Sequence, residues 1–160
     1  SALHASAWQL RPESRGSIYS KSSNSEDDPV IRPNYLSTKT DGDTIVAGLK
    51  ITRSICQHEP VNSLITEEYE PGDAVEKNNY DSLLNWAREH GTTIYHPVGT
   101  CKMGNDAMAV VDDKLCVHGV SNLRVADASI MPTITSGNTN APSIMIGEKL
   151  SDMVLETYKT

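Results

Sequence analysis

The sequence predicts an α+β fold, and three observations carry it. Ile146, Leu150, Val154 and Tyr158 recur every four residues, which is one face of a long helix. Alternation through Arg15-Gly16-Ser17-Ile18-Tyr19-Ser20, just after the polar turn Arg11-Pro12-Glu13-Ser14, marks a strand. After His90 the grain changes again: Thr92-Thr93-Ile94-Tyr95 is β-favouring, and Val110-Val111-Asp112 and Leu123-Arg124-Val125-Ala126-Asp127 read as short buried strands.

The remaining elements follow in order. Residues 22–34 are polar, acidic and punctuated by proline, hence a loop. Ile45, Val46, Leu49 and Cys56 share one helical stripe, with the Asp41-Gly42-Asp43 stretch suited to its N-terminus and Pro60 beyond its end. Residues 59–77 form an acidic loop with a short strand at Ser63-Leu64-Ile65-Thr66. A helix runs from about Asn79 to His90, with Tyr80, Leu83, Leu84 and Ala87 inward and Gly91 as its stop. The last helix spans Ser143 to Tyr158. Thr135 to Pro142 supply its cap, and Pro142 fits a first turn where its missing N–H costs nothing.

Composition narrows the function. The 160 residues carry 14 Lys and Arg against 21 Asp and Glu, a formal charge of −7. That balance argues against nucleic acid or an anionic membrane surface as the main partner, since both want excess cation. No apolar run approaches the roughly 20 residues of a transmembrane helix. With no Phe, the core must come from Ile, Leu, Val, Met and Ala. Three cysteines cannot all pair, and no C-x-x-C occurs, so the expectation is free structural thiols and no metal site. The opening SALHASAWQL lacks a basic stretch followed by an apolar one, so no signal peptide is expected and a cytoplasmic location is favoured.

Two segments carry chemistry. In Tyr95-His96-Pro97-Val98-Gly99-Thr100-Cys101-Lys102-Met103-Gly104, a His ends a β-favouring stretch, a Pro fixes the backbone after it, and glycines allow tight turns. An imidazole held so is a natural general base. The plainer alternative is a partly buried structural His. The second segment is Asp127-Ala128-Ser129-Ile130-Met131-Pro132, followed by Asn138-Thr139-Asn140-Ala141-Pro142 and the helix. Free N–H groups at a helix N-terminus favour an anion or a carbonyl oxygen. Here the alternative is simple capping by Asn140.

Together the segments closely resemble the C-terminal region of the glucose–methanol–choline family of flavin-dependent oxidoreductases. The matching stretches run in order from Gln9-Leu10-Arg11-Pro12-Glu13-Ser14-Arg15-Gly16-Ser17 and Ile31-Arg32-Pro33-Asn34-Tyr35-Leu36 through both segments to the end. The flavour is that of choline-dehydrogenase-like and alcohol-dehydrogenase-like members. The resemblance implies FAD as cofactor and a small-molecule alcohol as substrate. It implies His96 as catalytic acid/base, with Asn138 facing it and Tyr95 and Pro97 on the substrate cavity. It also implies that Asp127 and Ala128 run beside the flavin diphosphate and ribityl chain, and that Thr139 and Asn140 lie against the pyrimidine edge.

For the fold, the resemblance implies a mostly antiparallel substrate-domain sheet flanked by helices over residues 1–112. Residues 113–160 then form a C-terminal strand and helix of the FAD-binding domain, with the strand at 123–127 paired on one side only. The family's G-x-G-x-x-G fingerprint does not occur here. An N-terminal FAD-binding portion is therefore the expected partner, and little activity is expected without it. Apolar surface exposed at Ile130, Met131 and the neighbouring helix would promote oligomers. Two other readings remain: a lyase of the same family that cleaves a cyanohydrin, and a module kept only for assembly or binding.

Overall fold

The computed structural model describes residues 2–72, 75, 76 and 78–158. They form a small α+β structure, with a two-stranded antiparallel sheet and three α-helices. Compactness divides the chain into two units, one up to Thr92 and one from Thr93 onward. The division precedes residue 112 because residues 101–112 bond to segments that follow them.

In the first unit, β1 (Ser17–Tyr19) pairs with β2 (Val30–Arg32), Ile18 opposite Ile31. The alternation at 15–20 is thus a strand, but Ile18 and Ile31 are both exposed. Among the described residues no further strand joins this sheet. That corrects the expected larger sheet: the hairpin buries neither face, and packing in this unit is done by helices.

α1 (Lys39–Cys56) starts two residues before the expected aspartate. Its cap is Thr38, whose Oγ1 accepts from the N–H of Asp41 at 3.2 Å. Val46 is buried, and Leu49 packs beside it. α2 (Tyr80–His90) is capped by Asn79, whose Oδ1 accepts from the N–H of Ser82 at 3.0 Å. Leu83, Leu84 and Ala87 are buried as the spacing predicted. Leu83 and Leu84 join Val46 and Val75 in one core cluster. Gly42 lets α1 approach α2: a Cβ there would stand 3.3 Å from Leu84 and from the Tyr80 hydroxyl.

Gly91 ends α2, but not by the left-handed turn expected of a helix stop. Its backbone is extended (φ −65°, ψ 143°), and a Cβ would lie 2.3 Å from the carbonyl oxygen of Ala87. Close approach, not a positive φ, is what requires glycine here. The expected strand at 63–66 is instead a 3-10 turn over Asn62–Leu64, with Leu64 exposed and, among the described residues, no partner strand to pair it. Residues 73, 74 and 77 of the acidic loop lie outside the described residues.

The second unit is built around Val111, Leu115, Ile130, Met131 and Ile146, with Val98, Met103, Val117, Val125, Leu150 and Met153 packed against them. The expected strands at 110–112 and 123–127 reduce to isolated bridges, Met103 with Val111, Val111 with Val117, and Cys116 with Arg124. Turns interrupt them before a ladder can grow. Asp112 Oδ1 accepts from the N–H groups of Lys114 and Cys116 at 2.9 Å each, and Leu115 between them adopts φ 63°. Segment 123–125 bonds to 115–117 on one side, through Val117 N–H to Leu123 O and Val125 N–H to Leu115 O.

α3 (Asn140–Thr157) carries the predicted stripe only in part. Ile146 is buried and Leu150 packs, but Val154 is half-buried and Tyr158 exposed. Ile144, Met145 and Leu155 are exposed on α3. The expectation of apolar exposure fails for Ile130 and Met131, which are 4% and 6% exposed. Both fill the core of their own unit.

Candidate active site

The two chemistry-bearing segments are hydrogen-bonded directly to each other. Cys101 N–H donates to Ser129 O at 3.0 Å, and Met103 N–H donates to Ile130 O at 2.8 Å. The chain from His96 therefore runs alongside the turn that follows Asp127. Gly99 serves this approach: its φ is 85°, and a Cβ would lie 3.3 Å from Met131 O.

His96 does not end a strand. Residues 92–95 are irregular, and Tyr95 takes φ 63°, a left-handed conformation that costs a non-glycine residue about 1 to 2 kcal/mol. Its N–H is held by Thr93 Oγ1 at 3.0 Å. β-propensity at 92–95 is overridden because, among the described residues, no neighbouring strand pairs with it. His96 is half-buried, whereas Tyr95 is 79% exposed and Pro97 is exposed too.

Asp127 is exposed and caps the 3-10 turn at Ala128–Ile130: its Oδ1 accepts from Ser129 N–H at 2.7 Å. Ala128 is half-buried against the core. Asn138 and Asn140 are exposed, while Thr139 between them is 8% exposed. The cap position of α3 belongs to Thr139, not to Asn140, which is already helical. The Thr139 carbonyl accepts from Ser143 N–H at 3.0 Å and from Ser143 Oγ at 2.7 Å.

The Thr139 side chain makes no cap bond. Its Oγ1 lies 3.2 Å from His96 Nδ1, within hydrogen-bond distance. The structure thus joins His96 to the start of α3 across 43 residues of sequence. Asn138 stands one residue before that contact. The side-chain contact was missed in the sequence, although one signal for it is present there. Pro142, three residues into the helix, removes the N–H that a capping threonine commonly uses.

All three cysteines are free, and Arg124 Nε donates to Cys116 Sγ at 3.3 Å. Among the described residues no three His, Cys, Asp or Glu side chains cluster as a metal site would need, and no helix is long and apolar enough to cross a membrane. Asp106 and Asp112 both hold their protons less tightly than a free aspartate. For Asp106 the chief cause is Lys102, and for Asp112 the backbone N–H of Cys116.

A sheet-poor α+β fold, with a histidine tied to the N-terminus of the final helix, is a pattern that can be compared with known proteins. The family model described as GMC oxidoreductase matches residues 12–147. The chain belongs to the GMC oxidoreductase family. It is similar to an alcohol dehydrogenase [acceptor] of Pseudomonas putida, 48% identical over 146 residues, covering 91% of this chain and 26% of the relative. It is also similar to an oxygen-dependent choline dehydrogenase of Pseudomonas fluorescens (strain SBW25), 45% identical, covering 95% and 26%. Among solved structures, pyridoxine 4-oxidase from Mesorbium loti superposes with a TM-score of 0.85 at 32% identity, covering 92% of this chain and 28% of that one. Formate oxidase from Aspergillus oryzae RIB40 gives 0.87 at 28% identity, covering 94% and 26%. The chain thus spans about a quarter of the length of these relatives.

Proposed function

We propose that this chain is the substrate-side part of an FAD-dependent oxidoreductase that oxidises the CH–OH group of a small alcohol. One observation carries the reading: the His96–Thr139 pair, 3.2 Å apart, sets an imidazole at the N-terminus of α3. Residues 1–112 then serve the substrate domain and 113–160 the FAD-binding domain. The ADP half of the cofactor is held by an N-terminal portion bearing the glycine fingerprint that these 160 residues lack.

The residues at the start of α3 suit the isoalloxazine edge. The helix is 18 residues long, its cap side chain is turned elsewhere, and its first turn carries no acidic residue. Backbone N–H groups of Asn140 and Ala141 have no carbonyl of their own helix to meet. They would donate to the pyrimidine oxygens of the flavin, where the helix dipole also favours negative charge. Asp127 and Ala128 would run beside the diphosphate and ribityl chain. When bound, FAD supplies the acceptor for the hydride of the alcohol carbon.

The chain's own residues do the rest. His96 Nε2 accepts the proton of the substrate hydroxyl, so that charge grows on the alcohol oxygen as the C–H bond weakens. Asn138 donates a hydrogen bond to that oxygen and takes no proton. Tyr95 and Pro97 line the substrate side. The test is coexpression with the N-terminal portion of the P. putida relative, followed by an absorption scan and anaerobic addition of alcohols. Bound flavin that bleaches with a primary alcohol supports the reading. An assembled complex with no flavin spectrum, or with flavin that no alcohol bleaches, overturns it.

A further inference from the structure

We infer that Thr139 is a positioning residue: its hydroxyl accepts the Nδ1–H of His96 and so fixes the tautomer in which Nε2 is the base. The inference deepens the proposed function and rests on its assignment of His96.

A neutral imidazole carries one ring proton, and its basic nitrogen is the other one. In free imidazole side chains neither nitrogen is reserved for the task. A partner at one nitrogen decides the matter. At His96 that partner is Thr139 Oγ1, 3.2 Å from Nδ1.

Three features keep this oxygen out of the helix cap and leave it free to accept from His96. Thr139 stands at the cap position of α3, where a threonine oxygen normally receives an N–H from the second or third helical residue. The third is Pro142, which has no N–H to give. The backbone at Thr139 has φ −89° and ψ −1°, not the extended form usual for a cap, and its side chain makes no cap bond. The lone pairs of Oγ1 are therefore left for His96. Thr139 is also buried, and Ser143 binds its carbonyl through both N–H and Oγ, so the acceptor is fixed in place. A buried hydroxyl held in this way orients the ring as well as choosing its proton.

The experiment uses [15N]histidine-labelled 160-residue chain and long-range ring correlations assigned through His96→Gln. The expected result above the imidazole titration is one His96 tautomer, protonated at Nδ1. Thr139→Val keeps the side-chain shape and removes the hydroxyl; it should return the ring to a mixture with Nε2–H prominent. Thr139→Ser should restore the single tautomer. In the assembled flavoenzyme, Thr139→Val should lower kcat by on the order of tenfold with KM little changed, and Thr139→Ser should recover most of it. Unchanged helix content in Thr139→Val, read by circular dichroism, separates positioning from a role in holding α3. A wild-type ring protonated at Nε2, or a tautomer indifferent to Thr139→Val, overturns the inference. If the tautomer follows the hydroxyl but His96→Ala turns over at the wild-type rate, the catalytic assignment falls, and the positioning role falls with it.

Discussion

Asp41 reaches back 27 residues to hold Ser14: its Oδ2 accepts both the backbone N–H of Ser14, at 2.8 Å, and the Ser14 hydroxyl. Its Oδ1 accepts the N–H of Glu13 at 2.9 Å. Ser14 Oγ in turn accepts the N–H of Ser37 at 3.0 Å. One buried carboxylate in the first turn of α1 thus ties Glu13 and Ser14 to the helix. The family-like stretch at 11–16 has a structural role here, supplying donors for this aspartate.

Asp41→Ala should therefore lower the stability of the first unit by about 1 to 3 kcal/mol, since three part-buried hydrogen bonds lose their charged acceptor. Urea unfolding followed by far-UV circular dichroism checks this. Lys39 and Asp43, an exposed i,i+4 pair in the same turn, provide the control. Lys39→Ala should leave the midpoint nearly where it was, because exposed pairs contribute little. Equal shifts for both variants would contradict the weight given to Asp41.

The same carboxylate makes stability depend on pH. Burial pushes the Asp41 proton affinity up, but the hydrogen bonds from Ser14 and Glu13 outweigh it and hold the group below the ordinary aspartate value. A depressed value means that the contribution is complete above the unfolded-state value, about 4, and is lost as pH falls through the lower folded one. Unfolding midpoints measured from pH 6 down to 2 should fall steeply below pH 4 in the wild type. Asp41→Asn should be less stable at pH 6 and flatter across that range. Parallel curves would refute the assignment.

Gly16→Ala should disrupt the hairpin. A Cβ at Gly16 would stand 2.3 Å from the carbonyl oxygen of Arg32 and 2.6 Å from that of Pro33, both backbone atoms. Neither can move without breaking the pairing of Ser17 with Arg32. The expected cost is about 1 to 3 kcal/mol, with faster amide exchange at residues 17–19 and 30–32. Unchanged exchange there would show that the approach is looser than the distances imply.

Leu83 is fully buried between α1 and α2. Leu83→Ala should cost about 2 to 5 kcal/mol. Leu64→Ala is the comparison, because Leu64 is largely exposed and its loss should barely register in the same thermal melt.

The helices were legible in the sequence because each announces itself locally. Leu83, Leu84 and Ala87 repeat at helical spacing, and Asn79 sits where a cap belongs. The strand at Ser17–Tyr19 was legible too, from its alternation, but the later ones were not. Val110 to Asp112 and Leu123 to Asp127 have the residue types of strands, yet a ladder needs a partner, and these segments find only single bridges. Ile130 and Met131 were misjudged for the converse reason: burial in their own unit depends on Val111 and Ile146, which are distant in sequence. The residues of the candidate site stand in the sequence as a motif. The contact between His96 and Thr139 was not legible, because no periodicity links residues 43 apart.

His96 and Asn138 should fail differently. His96 is one member of the His96–Thr139 contact, and Asn138 directly precedes the other. In the assembled flavoenzyme, His96→Ala removes the proposed proton acceptor, which should lower the rate of flavin bleaching by an alcohol by about 10² to 10⁴. Flavin should remain bound, because the contacts assigned to the diphosphate lie at Asp127 and Ala128 and on the N-terminal portion. The residual rate should rise with pH, as hydroxide takes over the proton, and added imidazole should restore part of it. Asn138→Ala leaves the proposed base in place and removes the hydrogen bond proposed to a developing negative oxygen, worth roughly 1.5 to 3 kcal/mol. Its bleaching rate should fall by about ten- to a hundredfold, and imidazole should not rescue it. Stopped-flow bleaching under anaerobic conditions measures all of these. Rescue of Asn138→Ala by imidazole, or none for His96→Ala together with a wild-type rate, would mean that the roles are assigned to the wrong side chains.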